Sequence, residues 1–211
     1  IMGLQFAARE MVFVLNDDMT LNVERLRAFI EQYRGKRFVI FGFTFLVWQH
    51  FYQALVRLGE ACDLSDGFLM TGGGWKKLES EAVSQEEFKR RLEESCGICH
   101  FLDHYGMVEQ TGAIYAECEC GHLHASIYSD VIIRNPQNWL PCPMGQRGIV
   151  QVLSVLPRSY PGHALLTEDE GVVLGEDDCP CGRKGKYIQI LGRMKSAELR
   201  GCSDTYAAEF G

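Results

Sequence analysis

A chain of 211 residues that is 46% hydrophobic and 23% charged can bury a sizeable core, as one large domain or two small ones, and fits no compositional class of disorder. Its formal net charge of -7 excludes a general nucleic-acid binder, which needs concentrated Lys and Arg to neutralise phosphates. The basic runs Lys89-Arg90-Arg91 and Arg183-Lys184-Gly185-Lys186 are short and read as solvated faces.

No segment reads as a signal peptide or a membrane span. The most apolar stretch, Phe38 to Leu58, carries Gln49, His50, Gln53 and Arg57, which a lipid-facing helix of about 20 residues would hold only at a cost. The expected location is the cytoplasm, where the nine cysteines are thiols or metal ligands rather than disulfides.

In chain order, Asn22 to Tyr33 carries a helical stripe of Val23, Leu26, Phe29 and Ile30. Arg37 to Thr44 is a continuous apolar run typical of a buried parallel strand, and Phe45 to Leu58 returns to helix, closed by Gly59. Asp66 to Thr71 reads as a second strand that runs into Gly72, Gly73 and Gly74. Those glycines therefore sit at a strand's carboxyl end, where open α/β sheets bind ligands. Ser84 followed by Glu87 marks a helix start with Ser84 as N-cap, and that helix runs to about Cys96.

Beyond Tyr105 the pattern changes. Ala113–Glu117, Ala125–Arg134, Gly148–Leu156 and Gly171–Leu174 are short, partly alternating and rich in Val, Ile and Tyr, which predicts a β-rich region. The fold class is α/β: a parallel-sheet α/β half followed by a β-rich subdomain, with the boundary near 105–112, where a bound ligand would touch both parts.

At that boundary, Tyr105-Gly106-Met107-Val108-Glu109 spaces an aromatic, a glycine and a carboxylate as a nucleotide and its metal require. Tyr105 can cover an adenine face, Gly106 lets the backbone come close, and Glu109 can face a magnesium ion on the phosphates. The cysteines form the second signal. Cys118, Cys120, His122 and His124 lie within seven residues, and Cys179 and Cys181 form another close pair. Thiolates and imidazoles suit a tetrahedral zinc held between two turns, and a closed, sulfur-rich set makes it structural. Alternation along a strand would put the first four on one side, so spacing does not choose four ligands among these residues. Cys62, Cys96, Cys99 and Cys142 show no such clustering and are expected in the core.

Three further segments stand in fixed order around the Tyr105 loop: Thr71-Gly72-Gly73-Gly74-Trp75-Lys76, Leu166-Thr167-Glu168-Asp169-Glu170-Gly171, and Ile190-Leu191-Gly192-Arg193-Met194-Lys195. The series resembles the adenylate-forming superfamily of acyl-CoA synthetases, peptide-synthetase adenylation domains and luciferases. The Gly-Gly-Gly-Trp-Lys run, the paired cysteines and the ending Leu191 to Ser203 look most like the acyl-protein synthetase family of bacterial luminescence operons, with phenylacetate-CoA ligase-like relatives. The resemblance covers roughly Phe38 to the end.

It implies the large domain of such an enzyme and ATP-dependent activation of a carboxylic acid, fatty in this branch, as an acyl-adenylate, with ATP, Mg2+ and structural Zn2+ as cofactors. Gly72, Gly73, Gly74 and Gly106 would approach the nucleotide, with Tyr105 on the adenine face and Asp103 at the adenine amino group. Asp169 would accept the ribose hydroxyls and Arg193 would touch the nucleotide. Glu109 would hold magnesium, Lys195 would be the pivot of a C-terminal lid, and Cys202 would accept the acyl group and pass it to an acyl-reductase partner. The zinc ligands implied are Cys118, His124, Cys179 and Cys181, with Cys120 as the substitute. The domains expected are 1–108, 109–192, and a hinge and tail over 193–211.

Two features depart from the pattern. No glycine-rich phosphate loop precedes Gly72, so no run of backbone N–H groups is offered to phosphate, and Val108 stands where a hydroxyl residue is usual. The chain is therefore expected to be the C-terminal part of a longer enzyme and inactive by itself. The alternatives are a CoA ligase of the phenylacetate type, which needs a full lid domain after Lys195, and a non-catalytic zinc-stabilised binding module.

Overall fold

The computed structural model describes residues 10–75, 82–110 and 112–194. The chain divides into two compact units, Ile1–His104 and Tyr105–Gly211.

In the first unit, α1 (Val23–Tyr33) begins at Asn22, whose side chain accepts the Arg25 N–H at 2.9 Å, a cap worth about 1 kcal/mol. Strands β1 (Phe38–Phe43), β2 (Gly67–Gly72) and β3 (His100–Tyr105) are parallel, with Phe43 opposite Gly72 and Gly72 opposite His104. The helix expected over Phe45–Leu58 is present as three consecutive segments: α2 (Thr44–Leu46), a π-helical stretch Val47–Tyr52, and α3 (Gln53–Leu58). The π stretch buries Val47, Trp48 and Phe51 together. Helix α4 (Gln85–Cys96) starts at Ser84, which accepts the Glu87 N–H at 3.2 Å. The core joins Leu26, Trp48, Phe51, Leu55, Phe88 and Leu92 to Leu69 of β2, which is fully buried.

Strand β3 was not legible as a strand. Its His, Asp and Tyr residues hide any apolar period, and pairing with β2 makes it one.

The second unit is an antiparallel sheet. Its strands are β4 (Tyr115–Glu117), β5 (Leu123–His124), β6 (Ser129–Arg134), β7 (Gly148–Ser154), β8 (Ala164–Glu176) and β9 (Lys186–Arg193), in the spatial order β4-β5-β9-β8-β7-β6. Tyr115, Val131, Ile133, Val150, Val152 and Ile188 form its core. The expected strand limits shift most at two strands. Strand β6 starts at Ser129 rather than Ala125, because the Ser129 N–H bonds to the Ser126 carbonyl in a turn. Strand β8 is 13 residues long rather than four, since its acidic stretch is the part-exposed half of one ladder, kinked by register shifts against both β7 and β9.

Candidate active site and metal centre

Within the first unit, the glycine segment and Asp103 occupy the carboxyl ends of neighbouring parallel strands, the ligand-binding end of such sheets. Thr71 is buried and donates its hydroxyl to Asp103 Oδ1 at 3.5 Å, and the same oxygen accepts the His104 N–H at 2.9 Å. Gly72 is buried and its missing side chain has a clear use: a Cβ there would overlap the His104 imidazole. His104 Nδ1 lies 2.6 Å from the Thr71 carbonyl oxygen. A carbonyl only accepts, so Nδ1 is the donor in this contact. Sequence reasoning did not single out His104. Gly73 and Gly74 are exposed, and Lys76 lies outside the described residues.

Within the second unit, the fold joins residues far apart in sequence. Tyr105 donates its hydroxyl to Asp169 Oδ2 at 2.7 Å across 64 positions. Burial first, then the Asp169 charge and this hydrogen bond, hold the Tyr105 hydroxyl protonated well above its ordinary range. Asp169 is fixed by backbone as well: its N–H bonds to Thr167 Oγ1 at 3.1 Å, and that hydroxyl donates to the Val150 carbonyl at 2.8 Å. Arg193 stands opposite Asp169 in the β8–β9 register, with Nε 4.0 Å from Asp169 Oδ1 and Nη2 3.0 Å from Glu168 Oε2. Glu109 is exposed on the single 3-10 turn Val108–Gln110, and Gly106 is exposed between β3 and that turn. Lys195 and Cys202 lie outside the described residues.

The second cluster is built by two turns of one design. Cys118-Glu119-Cys120-Gly121 and Cys179-Pro180-Cys181-Gly182 each close with the glycine N–H on the first cysteine's carbonyl at 2.9 Å, and Gly121 and Gly182 have φ of +76° and +82°. That left-handed geometry admits glycine at little cost. Strand β5 brings His124 opposite Tyr187 of β9, and the turns bring the thiols to it. Ligand atoms of Cys118, His124, Cys179 and Cys181 all lie within 4.8 Å of one another. Cys118 and Cys179 Sγ are 3.9 Å apart, and Cys181 Sγ is 3.5 Å from His124 Nε2. A tetrahedral zinc with ordinary bond lengths needs about 3.8 Å between two sulfurs and about 3.5 Å between sulfur and nitrogen, and these two separations match it.

Electrostatics agree. Burial opposes ionisation of Cys118, yet the N–H groups of His122 and Cys120 and the neighbouring thiols outweigh it and hold this thiol below its usual value. Desolvation and the adjacent thiols push Cys181 up to about 11 against an N–H bond from Arg183 at 3.4 Å. Desolvation, then the Arg183 and His122 charges, lower the His124 pKa and keep the ring neutral, the form that binds metal. His122 is a neighbour rather than a member: its Nδ1 is 3.2 Å from Cys179 Sγ and its ring stacks on Tyr187 at 4.7 Å. Cys120 is exposed and outside the cluster. Strand alternation does not place it on the side of Cys118, because Cys118 to Gly121 form a turn and not a strand.

This fold defines a class. A 2-hydroxyisobutyryl-CoA ligase solved with an acyl-adenylate and CoA is similar over 75% of this chain and 36% of its own, with a TM-score of 0.57 and 20% identity. ATP-bound MatB from Rhodopseudomonas palustris is similar over 79% of this chain and 33% of its own, with a TM-score of 0.52 and 16% identity. The architecture is that of the adenylate-forming enzymes. A family model described as acyl-protein synthetase, LuxE, matches residues 2–211, and the chain belongs to that family. The long-chain-fatty-acid–luciferin-component ligase of Vibrio harveyi is 26% identical over 149 residues, 69% of this chain; the match spans 38% of that relative's length. Among the described residues no helix is long and apolar enough to cross a membrane.

Proposed function

We propose that this chain serves ATP-dependent activation of a long-chain fatty acid and its transfer to a protein thiol. Family membership supports the reaction class, and the Tyr105–Asp169 hydrogen bond carries the residue assignment. Two residues read separately as adenine and ribose contacts are joined by a bond that fixes both, which suits a rigid nucleotide platform. The fatty carboxylate attacks the α-phosphorus of ATP, and pyrophosphate leaves. Tyr105 covers the adenine face, Asp169 takes the ribose hydroxyls, and Arg193 supplies positive charge beside them. Gly72, Gly73, Gly74, Gly106 and Asp103 enter this reading through the family resemblance.

Glu109 would hold magnesium, which offsets phosphate charge when bound; one exposed carboxylate plus phosphate oxygens is the usual way that ion is held. In the transfer step the Cys202 thiol loses its proton, its sulfur bonds the acyl carbon, and AMP leaves with the electrons of the broken carbon–oxygen bond. Lys195 is the pivot between the two steps. Cys118, His124, Cys179 and Cys181 hold a structural zinc that ties the two turns together and takes no part in the chemistry. The acyl group then passes to a reductase partner.

The test is ATP binding and fatty-acid-dependent ATP–pyrophosphate exchange for the wild type, Tyr105→Phe and Asp169→Asn. Each variant should weaken nucleotide binding by about tenfold, the loss of one hydrogen bond to a charged group. Tyr105→Phe should also narrow the preference for ATP over 2'-deoxy-ATP. Unchanged affinity in both variants sinks the residue assignment, and a wild type with no nucleotide binding favours the zinc-stabilised module.

A further inference from the structure

The turn that carries Glu109 is gripped by a second loop with no role so far. Residues 155–163 connect β7 to β8, and the Ser154 N–H on the His163 carbonyl at 2.9 Å closes that loop at its base. Two side chains join it to the Glu109 turn. Tyr160 donates its hydroxyl to the Glu109 backbone carbonyl. In the other direction Gln110, only 1% exposed, sends Nε2 to the Gly162 carbonyl at 2.8 Å and to the Val152 carbonyl at 3.4 Å. Its Oε1 is buried without a partner among the described residues, so the amide only donates, to this loop and to Val152 of β7. A buried polar group left half satisfied is costly, and it persists where the other half fixes something.

Gly162 completes the arrangement. The Gly162 N–H bonds to the Tyr160 carbonyl at 2.8 Å, and a Cβ at Gly162 would overlap the Tyr160 ring. The glycine thus lets the ring fold back over its own chain to reach Glu109. Two hydrogen bonds of opposite direction and one required glycine are more than an accidental loop contact needs. The turn they hold is otherwise weak: a single 3-10 turn closed by the Gln110 N–H on Met107 at 3.2 Å and followed by the Ala113 N–H on Gln110 at 3.1 Å.

We propose that Tyr160 and Gln110 are positioning residues that clamp the Glu109 turn to the β7–β8 loop and thereby set where the Glu109 carboxylate meets a metal-bound nucleotide. The clamp stands on geometry alone; its service to the metal rests on the nucleotide reading above. Neither residue touches the reacting atoms. Tyr160 acts through the carbonyl of the very residue that holds the ion, so loss of its hydroxyl alters the aim of Glu109 and leaves its chemistry intact. This makes the metal requirement, rather than the fatty-acid requirement, the quantity that responds.

The experiment compares the 211-residue chain with its Tyr160→Phe, Gln110→Met and Gly162→Ala variants by hydrogen exchange and by Mn2+ titration with ATP. The amides of Gln110 and Ala113 should exchange about fivefold faster in Tyr160→Phe, as for loss of one ordinary hydrogen bond, and faster still in Gln110→Met. Gly162→Ala keeps the hydroxyl and should match Tyr160→Phe, because it displaces the ring. The Mn2+ concentration for half-saturation should rise by a similar factor, with ATP affinity in the absence of metal unchanged. Exchange unaltered in Tyr160→Phe and Gln110→Met overturns the clamp. Faster exchange with an unshifted Mn2+ requirement reduces both residues to structural supports and overturns the positioning role. Faster exchange in a chain that binds no Mn2+ and ATP at all keeps the clamp and overturns the nucleotide reading instead.

Discussion

The two Cys-x-Cys-Gly turns have the same pattern, the same closing hydrogen bond and the same left-handed glycine, yet one delivers two sulfurs to the cysteine–histidine cluster and the other only one. What differs is the chain that follows. After Gly182 the chain gives an N–H to Cys181 Sγ from Arg183 and keeps that sulfur at the cluster. After Gly121 it enters the hairpin strand Leu123–His124, and His124 Nε2 takes the place beside Cys181 that the second thiol would fill. Identical local motifs therefore reach different ends, because strand register, and not turn chemistry, decides which donors converge.

The largest effect is expected at Cys179, whose sulfur lies against both Cys118 and His122. Cys179→Ser should lower zinc content from one ion per chain to near none by elemental analysis. It should also cost a large share of a structural zinc's binding free energy, roughly 10 kcal/mol, seen as loss of the second unit's cooperative unfolding. A smaller effect is expected at the supporting imidazole. His122→Phe keeps the stack on Tyr187 and removes the hydrogen bond to Cys179, so zinc affinity in a chelator competition should fall about 10- to 100-fold.

The two turn glycines differ in consequence. Gly182→Ala and Gly121→Ala each force a side chain into left-handed backbone at about 1–2 kcal/mol, but the first moves two ligands and the second one. Gly182→Ala should therefore weaken zinc binding more at equal loss of thermal stability. The smallest effect belongs to Cys120, which is exposed outside the cluster. Cys120→Ser should leave zinc content at one per chain and stability within about 0.5 kcal/mol; loss of the ion would show that the turn supplies two sulfurs after all.

Some of this molecule was legible before folding. The helix over Val23–Tyr33 announces itself by Asn22 and an apolar stripe, the helix over Gln85–Cys96 by Ser84 and Glu87, and β2 by an apolar run that ends in glycine. These signals are local, since a cap or a period is complete within one element. Strands β3 and β9 were not legible as strands, because charged and aromatic residues mask their period and only pairing with β2 and β8 stabilises them. The clamp by Gln110 and Tyr160 was invisible for the same reason. Its partners lie 52 and 51 positions away, and nothing near Gln110 distinguishes a surface amide from one buried to 1% exposure.

Residue order alone sets the chemistry on offer: an aromatic, a glycine and a carboxylate in one loop, sulfur and imidazole donors in two turns, and a family resemblance from about Phe38 to the end. Which of these donors meet is settled by strand pairing and burial. These join Tyr105 to Asp169, take His124 in place of Cys120, and give the Gly72 vacancy to His104. Residue type fixes what a group can do within a few ångströms of itself, whereas convergence across dozens of positions is set by strand register and burial, which no local pattern encodes.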